Sequence, residues 1–174
     1  IIMKIVCIIP ARLASSRFPS KVLEKISNIP MIEYVRRKAK ITNIFSEIFV
    51  ATCDQEISDV ISDFSGQVII TSQEHNSGTS RISEAVSKID CTHAFLLQGD
   101  EPLVDPEDIK SMCLEVNKNP EIQILNSFSN IENEKELKDK SVVKGIIDLN
   151  SKFKFFFRGN PFLDNKNLYL DNVK

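Results

Sequence analysis

Apolar residues recur along the chain in two alternating rhythms. Short unbroken runs rich in Ile, Val and Phe occupy residues 1–9, 47–52 (EIFVAT), 67–72 (QVIITS), 93–99 (HAFLLQG) and 122–129. Such runs predict β-strands buried on both faces, as in a parallel sheet. Between them lie stripes at helical spacing: Ile32, Val35 and Ala39 within 30–40, with Arg36, Arg37, Lys38 and Lys40 off that face; Ile57, Val60, Ile61 and Phe64 within 55–64; Ile82, Ala85, Val86 and Ile89 within 78–89. A fourth helix, burying Ile109, Met112, Cys113 and Val116, has the strongest start signal. Asp105 stands at the cap, Pro106 at the first helical position, and Glu107 and Asp108 face the positive end of the helix. Strand and helix in alternation predict an α/β fold with a mostly parallel sheet, right-handed crossovers and helices on both faces.

The rhythm changes after residue 130. Residues 132–140 read as a short polar helix or turn, and 142–148 and 153–157 as two strands joined by Leu149, Asn150, Ser151 and Lys152. This predicts an added antiparallel hairpin over 143–158, suited to a lid or substrate wall. Residues 160–174 are polar and Asn-rich and bring no closing helix or strand. There is no internal repeat and no low-complexity tract.

With 174 residues, 42% hydrophobic and 26% charged, the chain has ordinary globular composition, and one domain over 3–174 is expected. Lys and Arg number 22 against 24 Asp and Glu, a net charge of -2, which argues against a nucleic-acid surface. Cys7, Cys53, Cys91 and Cys113 are widely spaced without a C-x-x-C pair, as expected of free, buried thiols rather than a zinc site or disulfides. No apolar run reaches the roughly 18 residues of a membrane span, and no leader pattern opens the chain. A cytoplasmic protein starting naturally at Met3 is the expectation.

The candidate chemistry gathers at the ends of the predicted strands. PARLASSRFPSK, residues 10–21, leaves the first strand carrying Arg12, Arg17 and Lys21 among Ser15, Ser16 and Ser20. It sits at a strand's C-terminal edge, where open α/β sheets bind ligands. Guanidinium forks, an ammonium and free amides together suit a polyphosphate, although a loop with three cations is usually just solvated. The pattern is neither G-x-x-x-x-G-K-[ST] nor G-x-G-x-x-G. HNSGTSR, residues 75–81, follows the third strand and opens a helix, so Ser77, Gly78 and Thr79 offer hydroxyls and amides at a helix N-terminus; a plain N-cap is the alternative. His75 is assigned no role. LLQGDEP, residues 96–102, ends the fourth strand with Gln98, Gly99, Asp100 and Glu101. A carboxylate there is what Mg²⁺ bridging phosphate oxygens requires, the bland reading being an acidic turn. Three polar clusters on one sheet edge favour a nucleoside triphosphate site on a Rossmann-like nucleotide-binding sheet.

These stretches, taken with PMI at 30–32 and SVVKGIIDLNSKFKFFFR at 141–158, resemble the 3-deoxy-manno-octulosonate (Kdo) cytidylyltransferases, the CMP-Kdo synthetases. The likeness runs from about Met3 to Arg158, in the same order and with similar spacing. It implies a homodimeric nucleotidyltransferase that joins CTP to Kdo with Mg²⁺, releasing pyrophosphate, in lipopolysaccharide biosynthesis. It further implies that Arg12, Ser15, Arg17 and Lys21 hold the triphosphate and that Pro10, Ala11, Ser77, Gly78, Thr79 and Gln98 line the nucleotide pocket. Arg17, Lys21 and Asp100 would be catalytic, Asp100 as metal ligand, and Arg158 would face the sugar acid.

Three departures from the family pattern stand out. Ser20 replaces a usual Gly before the loop lysine, and Ser72 stands where an Arg is common. The family continues beyond the point where this chain stops, with a second metal-binding Asp, much of the sugar pocket and part of the dimer surface, so the chain resembles a truncated gene product. Another acid, such as 8-amino-Kdo or a sialic-type acid, stays open as the substrate. So does a catalytically silent nucleotide-binding domain or a subunit completed by a partner chain.

Overall fold

Every residue of β1 (Ile5–Pro10, IVCIIP) is buried, because this strand runs through the middle of a four-stranded sheet with helices on both faces. The computed structural model describes residues 3–14 and 18–159. The chain falls into two compact units, Ile1–Leu125 and Asn126–Lys174.

In the first unit, β1 is followed by a 3-10 turn (Lys21–Leu23), a small hairpin of β2 (Lys25–Ile26) and β3 (Ile29–Pro30), and α1 (Met31–Ile41). Then come β4 (Glu47–Thr52), α2 (Gln55–Asp63), β5 (Gln67–Ile70), α3 (Gly78–Val86), β6 (His93–Leu96) and α4 (Pro106–Lys118). The main sheet has the order β5-β4-β1-β6, all parallel, with Val6 opposite Glu47 and Ile5 opposite His93. From β1 the chain winds outward through β4 to β5, then α3 carries it back past β1 to β6. The strand order therefore reverses between β1 and β6, which is where sheets of this kind open a crevice at their C-terminal edge.

Alternation along β1 builds two cores. Cys7 and Ile9 point to one face, packed with Ile32, Val35 and Ala39 of α1, Ile57 and Ile61 of α2 and Ile109 of α4. Val6 and Ile8 point to the other, with Ile82 and Ala85 of α3. Arg36, read from sequence as lying off the buried face, is 7% exposed. Its guanidinium Nε donates to Glu33 at 2.6 Å and Nη2 to the Phe64 carbonyl at 3.2 Å, so α1 buries a satisfied ion pair beside its apolar stripe.

Most elements agree with the sequence pattern in type and order, but one expected strand is missing and one hairpin is added. The strand expected within 122–129 does not form: the segment has no regular structure, and Ile124 is 88% and Phe128 53% exposed. An apolar run becomes a strand only where a neighbour offers a hydrogen-bonding ladder. The β2–β3 hairpin was not expected. Its two turn residues, Ser27 (φ 50°) and Asn28 (φ 66°), both adopt the left-handed conformation of a two-residue hairpin turn.

Among the described residues no disulfide forms: Cys7 and Cys113 are buried and Cys53 and Cys91 partly so. Burial pushes the Cys7 thiol far up and that of Cys113 up to about 11, leaving both unreactive. No described helix is long and apolar enough to cross a membrane.

The second unit contains α5 (Glu134–Lys138) and the expected hairpin, β7 (Lys144–Ile147) against β8 (Phe153–Phe157), antiparallel. The Asp148 carboxylate closes its turn, accepting from the amides of Asn150 and Lys152 at 2.9 Å each. Lys144 is 1% exposed, its ammonium donating to the carbonyls of Asp139 and Arg158.

Candidate functional site

Three chain segments converge beyond the C-terminal ends of β1 and β6. The first continues β1: the Ala11 amide donates to the Ala51 carbonyl at 2.9 Å, so the backbone stays extended before turning away at Arg12. The second continues β6 through Leu97, whose amide reaches the Ile8 carbonyl at 3.2 Å. Gly99 lets this segment press against β1. A Cβ there would lie 2.7 Å from Ile32 Cδ1 and 3.1 Å from the Pro10 carbonyl oxygen, so only glycine sets Gln98 and Asp100 this close to Pro10. The third is the start of α3. Ser77 caps it by accepting from the Ser80 amide at 3.1 Å. At Gly78 a Cβ would come within 3.2 Å of the Pro10 ring and 3.5 Å of Gln98 Oε1.

The segments enclose a cavity of about 320 Å³. Pro10, Ala11, Arg12, Lys21, Ser77, Gly78, Gln98 and Asp100, all singled out from sequence, line it. Thr79 is exposed on α3 and outside the lining. Arg158 belongs to the second unit, where its Nη1 donates to the Ser141 carbonyl at 2.8 Å. Ser15 and Arg17 lie outside the described residues.

Across the cavity Lys21 Nζ meets Asp100 Oδ2 at 3.0 Å. Burial, and then the neighbouring Asp100 charge, raise the Glu101 carboxyl above its ordinary range. The Gln98 amide and the Arg12 guanidinium have no hydrogen-bond partner among the described residues. The cavity thus presents a neutral donor–acceptor group and an open cation.

Three residues given no role in the sequence reading shape this site. Asp54, at the start of α2, does not cap its helix; its Oδ2 accepts from the Leu13 amide at 2.8 Å and ties the basic loop to β4. Its position directly after a strand, like that of Gln98, was the available signal. His75 lines the cavity, and its Nε2 lies 2.5 Å from Glu84 Oε2. Glu84 also accepts from the Ser72 amide at 2.9 Å and from Lys88 at 2.7 Å. The hydrogen bond from Lys88, then those from His75 and Ser72, lower its carboxyl to about 2. Arg81 also lines the cavity and is 2% exposed, with Nη1 donating to Thr71 Oγ1 and to the Ser72 carbonyl. Nothing in the one-dimensional pattern separates a buried helical arginine from a solvated one.

A family model described as Cytidylyltransferase matches residues 6–172. The chain belongs to the cytidylyltransferase family. It is 36% identical over 165 residues to a 3-deoxy-manno-octulosonate cytidylyltransferase of Geobacter sulfurreducens, covering 94% of this chain and 66% of that one. It is 37% identical to an 8-amino-3,8-dideoxy-manno-octulosonate cytidylyltransferase of Shewanella baltica, covering 92% and 67%. The structure of CMP:2-keto-3-deoxy-manno-octonic acid synthetase complexed with CTP superposes with a TM-score of 0.80 at 30% identity, covering 94% of this chain and 69% of that chain. This cytidylyltransferase-family chain spans about two thirds of the length of the curated relatives it matches.

Proposed function

We propose that the protein activates Kdo with CTP, giving CMP-Kdo and pyrophosphate for lipopolysaccharide biosynthesis. The observation that carries this reading is the convergence of Lys21, Arg12, Gln98 and Asp100 on one cavity at the reversal point of the sheet, in a chain of the cytidylyltransferase family. In the reaction the anomeric hydroxyl oxygen of the sugar acid attacks the α-phosphorus of CTP. The bond to the pyrophosphate oxygen breaks, and the hydroxyl proton is released. The chain's share is to hold the triphosphate with Arg12, Arg17, Ser15 and Lys21, to meet the base at Gln98 and Gly78, and to neutralise charge as it builds on the phosphates.

A Mg²⁺ ion fits this donor set. No group of three or more His, Cys, Asp or Glu side chains suited to a metal occurs among the described residues, but Mg²⁺ takes one or two carboxylates and draws its other ligands from phosphates and water. Asp100 would hold it, and bound there it would supply positive charge to the phosphate oxygens. Arg158 facing the sugar acid and a homodimer complete the reading, on the sequence resemblance alone, and a cytoplasmic location is part of the same proposal. The naming of the Shewanella relatives supports a second substrate, 8-amino-Kdo.

Calorimetric titration of CTP, UTP, dTTP and ATP in the presence of Mg²⁺ tests the nucleotide half. CTP alone should bind; equal binding of all four, or of none, overturns the reading. Pyrophosphate release with Kdo and with 8-amino-Kdo then decides the acid. Release with neither makes the chain a silent nucleotide-binding unit.

A further inference from the structure

We infer that Arg81 reads the base in this cavity and selects cytosine over uracil. The inference rests on the nucleotide reading proposed above and assigns within it a specificity-determining residue.

Three observations carry it. First, Arg81 is a buried cation without a counter-charge among the described residues. At 2% exposure its recorded partners, Thr71 Oγ1 and the Ser72 carbonyl, are both neutral, and no carboxylate among the described residues pairs with it. Burying a guanidinium that way is costly unless something else completes its hydrogen bonds. Second, both contacts use Nη1, so no described residue engages the Nε–H and Nη2–H edge. No buried side-chain nitrogen or oxygen among the described residues lacks a partner, so this open edge is the part that reaches accessible space. Arg81 lines the cavity, and that is the space it reaches.

Third, its position separates it from the phosphate-holding groups. Arg81 lies three residues after Gly78 on α3, hence on the same helix face, and Gly78 packs against Pro10 and Gln98. Arg81, Gly78 and Gln98 form one wall, whereas Arg12 and Lys21 come from the loop after β1, Lys21 reaching across to Asp100. The open edge is a planar fork of two parallel donors. Cytosine offers it two adjacent in-plane acceptors, the carbonyl oxygen at C2 and the ring nitrogen N3. Uracil carries a hydrogen on N3, so there one fork donor would face a donor. Arginine uses the same fork on paired acceptors of guanine, whereas lysine is a flexible point charge without that planar fork.

The test titrates CTP, UTP and the nucleoside cytidine, with Mg²⁺, into the full chain as wild type, Arg81→Lys and Arg81→Gln, with a thermal melt to establish folding. Both variants should lose roughly ten- to hundredfold in affinity for CTP, and cytidine should lose a similar factor. UTP should change by less than about threefold, so the preference collapses. Equal loss for CTP and UTP with cytidine unaffected would make Arg81 a phosphate contact and overturn the inference. So would a preference that survives in the folded variants. If neither variant folds, Thr71→Val, which removes one acceptor holding the guanidinium, should weaken CTP but not UTP; an unchanged ratio there overturns the inference as well. A wild type that does not prefer CTP defeats the nucleotide reading and this inference together, whereas wild-type preference retained in the variants defeats the Arg81 assignment alone.

Discussion

Lys21 and Asp100, seventy-nine residues apart in sequence, meet at 3.0 Å across the candidate site. One comes from the loop after the central strand and the other from the loop after its neighbour, so the contact closes the cavity only when the sheet has formed. Both side chains are close to half exposed, at 41% and 49%, and an ion pair in that setting contributes about 0–1 kcal/mol. Their value lies in charge placement. Lys21→Ala should therefore change unfolding free energy by less than about 1 kcal/mol in a urea titration. Turnover of CTP should fall on the order of 10²-fold, as for other single groups that stabilise developing charge. A large stability loss would mean that the pair is structural.

The Leu13 amide and the Asp54 carboxylate, 2.8 Å apart, fasten the start of the basic loop. Asp54→Ala leaves that N–H without its acceptor. A cost of about 1–3 kcal/mol is expected, together with weaker CTP binding as the loop loses its tether. Asp54→Asn keeps an acceptor oxygen and should recover part of both, measured by denaturant melts and calorimetry side by side.

Ser20 sits in left-handed backbone at φ 57°, with its amide donating to the Leu13 carbonyl at 2.9 Å. Outside glycine this conformation costs about 1–2 kcal/mol, partly offset because glycine is freer in the unfolded chain. Ser20→Gly should leave stability unchanged or raise it slightly, while Ser20→Val should lower it by at least about 1 kcal/mol. Thermal melts that rank valine level with glycine would contradict this geometry.

Glu84 gathers His75, Lys88 and the Ser72 amide, and its carboxyl lies at about 2 rather than 4.5. A carboxyl lowered on folding stabilises the folded state fully above its unfolded value, and this contribution fades as pH falls from about 4.5 through about 2. Wild type should thus lose stability over that acid window relative to its own value at neutral pH. Glu84→Gln should show a smaller acid-dependent loss there, measured as melting temperature against pH.

The sequence legible by itself was considerable. Runs of Ile and Val against helical stripes gave the order and type of nearly every element, because burial on one or two faces writes its period locally along a chain. The strand ends and the segments after them carried the site: Pro10, Arg12, Lys21, Ser77, Gly78, Gln98 and Asp100 all lie at the end of an apolar run or on the segment that follows it, and all line one cavity. Where the reading failed, a distant partner decided. The apolar run at 122–129 makes no strand, and Ser27 with Asn28 forms a hairpin turn that no stronger local signal announced.

The sequence alone determined an α/β chain with a basic and polar pattern at one sheet edge, read here as suited to a triphosphate. Only the tertiary structure decided the strand order β5-β4-β1-β6 that brings those edges together at β1 and β6. It also decided that Asp54 serves the basic loop and not its own helix, and that Arg81 is buried with one edge of its guanidinium open. The physical reason is that periodicity is set by neighbours three or four residues away, whereas the burial of a charge depends on which remote segment packs over it.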